Sequence, residues 1–348
     1  MLNDRIEERW IAAFVRVFQL CKIAPGDQVA MLAETQSRAL NIQLAELALQ
    51  RIGARPFLLQ VPTPAQTIRV PVRSTGASAA IAGQRPVIEA MKACPVVIDL
   101  TVEGLMHAPE TREILKAGTR ILNISNEHPD ALERLVPDEE IKQRCLRARE
   151  LCKGAKRMTV TSAAGTKLDV DLGGAVHVPI WGFTDKPGTL AHWPGGLIVN
   201  FPRAGTVNGT LVLDAGDINL TFKRYLESPV TLTLDNDFVT DIKGHGTDAE
   251  LMRRYLAVWN DKNAYAVSHV GIGLHPDARY ESLTMYDQRD TNGTEIRAYA
   301  GNFLFSTGAN EFADRFTLGH FDIPVRGCTI AVDDRVLVRD GALTDLLP

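Results

Sequence analysis

Two residue types that can bind a metal ion stand close together near the C-terminus, in the triplet His320-Phe321-Asp322. The apolar, β-branched run at 328–332 that follows is typical of a strand. If the triplet is also extended, its first and third side chains share one face, because side chains alternate along a strand. An imidazole and a carboxylate held side by side in this way could form part of a metal site.

A third ligand could come from His269, which lies close to Gly271 and Gly273, where another chain or a ligand can approach the backbone. Two imidazoles and one carboxylate on one face of an octahedral ion leave three positions open, as in non-heme Fe(II) oxygenases. These residues therefore suggest an iron-dependent oxygenase. The alternative is that His320 and Asp322 are surface or hydrogen-bonded residues, because such pairs also occur by chance.

Composition limits the class of protein and its partners. The chain has 348 residues, enough for two domains, and 45% hydrophobic and 23% charged residues are ordinary globular values. A formal net charge of −4 gives no basic surface for nucleic acid or an anionic membrane, so we expect a small-molecule partner. Five cysteines without C-x-x-C spacing indicate a reducing compartment, and residues 1–9 lack the apolar core of a signal peptide. No apolar window is long enough for a membrane span, so we expect a cytoplasmic protein.

The first 155 residues alternate between strand and helix patterns. Segments with helical spacing of apolar residues separate apolar runs that predict buried strands at 28–33, 56–61, 96–100 and 120–124. This alternation predicts an α/β domain over residues 1–155 with a parallel sheet covered on both faces. No G-x-G-x-x-G or Walker motif follows the first strand, so the domain should line a substrate cleft rather than bind a nucleotide.

From residue 156 the pattern becomes β-rich. Period-two alternation over 157–172 predicts a hairpin, and Asn208-Gly209 is expected to form a turn between later strands. The spacing of Thr247 and Glu250 fits a capping box at the start of a helix that leads towards His269. We therefore predict a β-rich α+β domain over residues 156–348 that carries the metal site.

The pair His192-Trp193 stands in a segment that continues with proline and two glycines. His192 could act as a general acid or base or steer O2, and Trp193 could contact the substrate and exclude water. The alternative is that Trp193 packs in the loop while His192 is a hydrogen-bonded surface residue.

Two further side chains are candidates for a ligand pocket. His107 follows the predicted strand at 96–100, and the carboxyl ends of parallel strands are where α/β sheets form their ligand crevices. Ser306 precedes the predicted end of a strand, where its hydroxyl group could contact a substrate. The alternative for His107 is a histidine in a surface loop, and the alternative for Ser306 is a position in a simple turn. The remaining histidines at 177, 245 and 275 show no spacing that ties them to a site.

Several short motifs are spread over nearly the whole chain: LMHAPE at 105–110, KAGTRIL at 116–122, HWP at 192–194, GTLVLD at 209–214, SHVG at 268–271, GNFLFSTG at 301–308 and HFDIP at 320–324. Together they resemble 2,5-dihydroxypyridine 5,6-dioxygenase, a family of nicotinic acid degradation. The resemblance implies a fold similar to that of the leucyl-type two-metal aminopeptidases and a mononuclear Fe(II) enzyme of the extradiol type.

The resemblance also implies roles for individual residues. It makes His269, His320 and Asp322 the iron ligands, His192 the acid or base, and His107 a second group in the pocket. The implied reaction opens a hydroxylated pyridine ring with O2 and gives an N-formylmaleamate-like product. We expect a small heteroaromatic substrate and O2 as partners, and a homo-oligomer.

At two places, this sequence differs from the dioxygenase family or from the aminopeptidases in a way that bears on its function. Ile180 stands where the dioxygenase family carries a Glu ahead of an aromatic-Gly-aromatic triplet, so a carboxylate that could bond the ring is missing. The main rival is a metal-dependent leucyl-type aminopeptidase, which needs further carboxylates to bridge two ions. Arg203 and Ala204 occupy the segment where those peptidases resemble P-T-E-E, which favours a mononuclear site. A third alternative, a binding protein without catalysis, would hold no iron and consume no O2.

Overall fold

The computed structural model describes residues 5–65 and 78–348, so the first four residues of the N-terminal segment considered above lie outside it. In the first half, helices alternate with strands: α1 (Glu8–Leu20), β1 (Gln28–Glu34), α2 (Ala39–Ile52), β2 (Arg55–Val61), α3 (Arg85–Lys92), β3 (Val96–Asp99), α4 (Thr111–Lys116), β4 (Arg120–Ile124), α5 (Pro129–Arg134) and α6 (Glu139–Cys152). Strand β1 pairs in parallel with β2 and β3, and β3 pairs in parallel with β4. The predicted parallel sheet is therefore present.

Helices cover both faces of this sheet because its strands are apolar on both sides. Every residue of β3 and β4 is buried. Along β1, Val29 and Met31 enter a core shared with α1 and α2, whereas Ala30 and Leu32 enter one shared with α3 and α4. Burial on both faces explains why these strands appear in the sequence as continuous apolar runs.

The second half contains most of the strands: β5 (Arg157–Ser162), β6 (Lys167–Asp171), β7 (Val176–Ile180), β8 (Leu190–Trp193), β9 (Leu197–Phe201), β10 (Val207–Leu213), β11 (Ile218–Asn219), β12 (Arg224–Tyr225), β13 (Val230–Asp235), β14 (Phe238–Lys243), α7 (Gly246–Val258), β15 (Val267–Gly273), α8 (Ser282–Met285), α9 (Thr294–Ala298), β16 (Phe303–Asn310), β17 (Arg315–Val325), β18 (Cys328–Val332), β19 (Arg335–Arg339) and β20 (Ala342–Leu343). Short 3₁₀ helices occupy Lys262–Tyr265, Gln288–Asp290 and Glu311–Ala313.

Two antiparallel sheets build the β-rich half. One has the strand order β14-β13-β10-β6-β5-β18-β19-β20 and the other the order β17-β16-β15-β9-β7, while β11 and β12 form a small ribbon. A single core joins the two large sheets, with Val160 and Leu211 from the first and Val270, Phe305 and Phe321 from the second. We call the five-stranded antiparallel sheet the site sheet, because its other face carries the candidate ligands.

The parallel α/β region and the antiparallel β-rich sheets of the predicted fold class are both present, while a metal-binding role for the β-rich part stays a prediction. The boundary at residue 155 stays a prediction, and two elements pack with the half on the other side of it. Strand β8 is the fifth strand of the parallel sheet, where it pairs with β4. Helix α6 places Ile141 and Cys145 in the core of the β-rich half.

The predicted hairpin at 157–172 is confirmed, since β5 and β6 pair antiparallel, but two local predictions are wrong. Asn208-Gly209 lies inside β10, because β6 and β13 flank it on both sides. Helix α7 begins at Gly246 with His245 at its N-cap and without a capping side chain, so Thr247 already lies inside the helix and the predicted capping box does not form. Across the described ranges, we find no helix long and apolar enough to cross a membrane.

Candidate metal centre

A cavity of about 310 Å³ lies between the two halves of the chain. The parallel sheet contributes residues at or beyond the carboxyl ends of its strands. Asn123 lies on β4, Ser125 follows β4, and His192 lies on β8. The site sheet closes the other side with residues such as Val199 and Leu304. The cavity therefore occupies the crevice position that is usual for ligands of α/β sheets.

Strand β17 presents two of the predicted ligands to this cavity. Phe321 and Ile323 point into the core between the sheets, so the alternating His320 and Asp322 face the cavity. Their ligand atoms are close, with His320 Nε2 3.3 Å from Asp322 Oδ1. Both residues are buried, so the alternative of a surface pair is wrong.

A β-bulge brings His269 to the same place. Val267 pairs with Thr307 and Val270 pairs with Phe305, so β15 carries one residue more than β16 in this interval. Val267 and Val270 can therefore both enter the core, while His269 between them lines the cavity. His269 Nε2 lies 3.7 Å from Asp322 Oδ1, and the candidate ligand atoms of the three residues lie within 4.8 Å of one another.

Electrostatics gives His269 and Asp322 the protonation states that a metal site needs. Burial lowers the pKa of His269 to about 3, so its imidazole is neutral at pH 7. Burial alone would raise the pKa of Asp322, but the neighbouring His320 imidazole and the Arg297 guanidinium outweigh it and hold that pKa well below its usual value. A neutral imidazole and an ionised carboxylate are the forms that bind metal ions.

Arg297, from helix α9, orients the carboxylate. Its Nε–H donates to Asp322 Oδ2 at 2.5 Å, which leaves Oδ1 directed at the two imidazoles. Glu127 fixes the start of α9 by accepting hydrogen bonds from the backbone N–H groups of Asn292, Gly293 and Thr294 at 2.7–2.9 Å. Sequence reasoning missed Arg297 and Glu127, because no spacing connects either residue to the His320 motif.

His192 has a defined tautomer. Its Nδ1 lies 2.6 Å from the carbonyl oxygen of Pro194, which can only accept, so Nδ1 carries the proton. Burial lowers the pKa of His192 to about 4, so at neutral pH Nε2 keeps its lone pair. A histidine that lines the cavity in this form can accept a proton from a ligand.

His107 and the 3₁₀ helix at Glu311–Ala313 border the cavity together. His107 Nδ1 lies 3.5 Å from Glu311 Oε2, and the ring of Phe312 packs against Phe201 with centroids 5.1 Å apart. Phe201 also contacts the ring of His269 at 5.3 Å. Glu311 and Phe312 thus contribute directly to the cavity wall.

Trp193 and Ser306 differ from their predicted positions. Trp193 follows His192 on β8 and so points to the opposite face, where it packs on Phe14 and donates its Nε1–H to the Leu135 carbonyl oxygen at 2.8 Å. The predicted substrate contact of Trp193 is therefore wrong. Ser306 is fully buried on β16 and its Oγ lies 3.3 Å from His320 Nε2, so it contacts a candidate ligand rather than the cavity. Consecutive side chains of a strand point to opposite faces, and this rule could have shown that His192 and Trp193 do not both face the cavity.

The residues fit a single divalent first-row ion. Asp322 Oδ1 is buried and has no hydrogen-bond partner, which is a costly arrangement unless a cation balances it. Two imidazoles and one carboxylate suit Fe(II) and similar ions. Within residues 5–65 and 78–348, this is the one group of three or more potential ligands found close enough together to hold a metal.

An α/β region and a β-rich region that enclose one buried His-His-Asp group define a class of candidate mononuclear metal protein. The NicX family model, described as 2,5-dihydroxypyridine 5,6-dioxygenase, matches residues 9–345. A curated 2,5-dihydroxypyridine 5,6-dioxygenase from Pseudomonas putida KT2440 is 36% identical over 332 residues, which cover 94% of each chain. The chain belongs to the 2,5-dihydroxypyridine 5,6-dioxygenase family.

Solved structures agree with this assignment. The structure of 2,5-dihydroxypyridine dioxygenase from Pseudomonas putida KT2440 superposes with a TM-score of 0.92 at 34% identity and covers 99% of both chains. AmpT from Thermus thermophilus superposes with a TM-score of 0.66 at 14% identity, over 97% of this chain and 99% of AmpT. The second likeness shows a shared fold, as the sequence resemblance implied.

Proposed function

We propose that this protein is an Fe(II)-dependent dioxygenase that opens the ring of 2,5-dihydroxypyridine, or of a closely related hydroxylated pyridine, to an N-formylmaleamate-like product. The observation that carries the proposal is the buried Asp322 Oδ1, without a hydrogen-bond partner, beside two imidazole nitrogens in the cavity. Membership of the family supports the ring substrate.

His269, His320 and Asp322 would hold the iron. When bound, Fe(II) would supply the redox chemistry that ring cleavage by O2 requires. The positive charge of Arg297 helps to keep Asp322 ionised. Because Arg297 donates its hydrogen bond to Oδ2, only Oδ1 of Asp322 is left to face the metal. Packing orients the imidazoles, because the ring of His269 contacts Phe201 and that of His320 contacts His107.

In this proposal, His192 moves the proton. The carbonyl oxygen of Pro194 fixes the proton on Nδ1, so Nε2 can accept a proton from a ring hydroxyl as the substrate binds. Burial keeps His192 neutral before that transfer, and the imidazolium formed can return the proton to the opened product. A base that is already neutral at pH 7 needs no prior deprotonation.

His107 is the second proposed proton-transfer group, held by Glu311 at the cavity border. The adjoining rings of Phe201 and Phe312 cover the side of His269. Substrate that displaces water beside these rings would make stronger electrostatic contacts and would be protected from competing hydrolysis.

The aminopeptidase alternative finds no specific support beyond the shared fold. A two-metal site needs additional bridging carboxylates. Arg203, which occupies the corresponding segment, is exposed and paired with Asp171. Cytoplasmic location and a homo-oligomer stay predictions.

The test is O2 uptake and loss of ring absorbance after anaerobic addition of Fe(II) to metal-free protein, with 2,5-dihydroxypyridine as substrate. We expect consumption of O2 and ring together, abolished by His320→Ala. His177→Ala is the matched control, because His177 lies on the opposite face of the site sheet and bonds to Asn200. Loss of activity in both variants, or turnover without added metal, would contradict the proposal.

A further inference from the structure

The cavity-facing side of the site sheet divides into two unlike parts. Strands β15 and β17 carry the candidate ligands. Beyond Phe201, which lies against the His269 ring, strands β7 and β9 line the cavity with aliphatic side chains: Val178 and Ile180 on β7, and Leu197 and Val199 on β9. The intervening polar residues of these two strands, His177 and Asn200, bond to each other on the opposite face. We call the four aliphatic residues the aliphatic wall.

The aliphatic wall lies within reach of a ring bound at the ligands. Strand β9 is the direct neighbour of β15, and β7 follows β9. Val199 on β9 pairs with Gly271, two residues along β15 from His269, and Val178 on β7 pairs with Val199. Because adjacent strands are about 4.8 Å apart, the wall begins one strand from β15 and ends about 10 Å away. Substituents of a ring held at the ligands can therefore reach the wall.

The cavity is larger than the bare ring requires. Its volume of about 310 Å³ corresponds to roughly ten water molecules in the liquid. A dihydroxypyridine has fewer non-hydrogen atoms, and bonded atoms pack more closely than waters. Part of the cavity would stay unfilled, and Met106, Leu115 and Leu190 from the parallel-sheet half make the cavity lining still more apolar.

We infer, on the basis of the proposed function, that the preferred substrate is a hydroxylated ring with a small alkyl substituent on the edge that faces the aliphatic wall. A methyl or ethyl group there would bury apolar surface against the four side chains. A carboxylate at the same place would lose its hydration without gaining a hydrogen bond or a counter-charge from the wall, so rings that carry one are rejected.

The test measures equilibrium binding without O2, which separates recognition from turnover. The Fe(II)-loaded protein is titrated with 2,5-dihydroxypyridine, with its 3- and 4-methyl and 3- and 4-ethyl derivatives, and with the matching carboxylates. At one of the two positions, we expect each added carbon to lower Kd about fourfold and the carboxylate to raise it. Equal or weaker binding of all alkyl derivatives, or tighter binding of a carboxylate, would overturn the inference.

Isosteric variants localise the effect. Val178→Thr places a hydroxyl group in the wall and should remove most of the advantage of the alkyl derivative. Val176→Thr is the control, since Val176 lies on the same strand and face and is also half-buried, but does not line the cavity. Val199→Thr on β9 repeats the test at a second position. An alkyl advantage that survives both wall variants, or that Val176→Thr removes equally, would contradict the inference.

O2 uptake with the same compounds distinguishes the two proposals. If the alkyl derivatives bind in the expected order but no ring is consumed, ring cleavage is wrong and the apolar recognition stands. If rings are consumed but the bare ring is preferred in binding and turnover, the inference alone falls.

Discussion

Replacing Arg297 with Met should destabilise the metal-free protein far more than the metal-loaded one. The Arg297 guanidinium donates to Asp322 Oδ2 at 2.5 Å, and the side chains are 13% and 6% exposed. Removing one partner of a buried ion pair costs about 3–5 kcal/mol, because the remaining charge loses its compensation. A divalent ion at Asp322 Oδ1 would restore part of that compensation.

The assay is denaturant unfolding of wild type and Arg297→Met, each in a chelator and in saturating Fe(II) under anaerobic conditions. In the chelator, we expect the variant to lose about 3–5 kcal/mol of unfolding free energy. Adding Fe(II) should raise the unfolding free energy of the variant by more than that of wild type. Arg297→Lys, which keeps the charge but not the guanidinium geometry, should fall between the two.

Two results would refute this reasoning. A metal-free variant as stable as wild type would mean that Asp322 is not a buried carboxylate dependent on Arg297. An equal Fe(II) stabilisation in both proteins would mean that the ion does not bind at Asp322.

Three further predictions concern residues outside the metal group. Burial lowers the pKa of His275 from 6.5 to about 4, so the unfolded chain takes up a proton first as the pH falls. About 3 kcal/mol of stability should therefore be lost between pH 6.5 and 4, and His275→Asn should flatten this dependence in urea unfolding; an unchanged slope would be inconsistent. Trp193→Phe removes the hydrogen bond to Leu135 and should cost about 1–3 kcal/mol in thermal unfolding; a changed KM would contradict its place outside the cavity. Gly308→Ala would place a Cβ 2.1 Å from the Gly319 carbonyl oxygen at a residue with φ +120°. The free energy of unfolding should fall by about 3 kcal/mol, and much of the Fe(II) affinity should be lost. An Fe(II) titration like that of wild type would refute this prediction.

Local periodicity was enough to place the two candidate ligands that share a strand on one face. His320 and Asp322 are two residues apart, and two-residue spacing in an extended chain fixes a common face. The same rule, applied to residues 192 and 193, would have assigned Trp193 to the core, but the proline and glycines that follow suggested a loop. Strand β8 instead ends at Trp193 and completes the parallel sheet.

Contacts between distant segments were not predictable from spacing. The bulge that turns His269 to the cavity depends on how β15 pairs with β16, which no local pattern specifies. Arg297 reaches Asp322 because Glu127, far away in sequence, holds the backbone at the start of α9. Such contacts arise from the packing of the two halves, so they appear only once the fold is known.

The most direct test of the account is an anaerobic titration of metal-free protein with Fe(II), followed by O2 uptake with 2,5-dihydroxypyridine at each step. The account predicts that activity rises to a plateau at one iron per chain, with one O2 consumed for each ring opened, and that Asp322→Asn has no plateau. A plateau at two ions per chain, or O2 uptake that does not depend on iron, would contradict a single site formed by His269, His320 and Asp322.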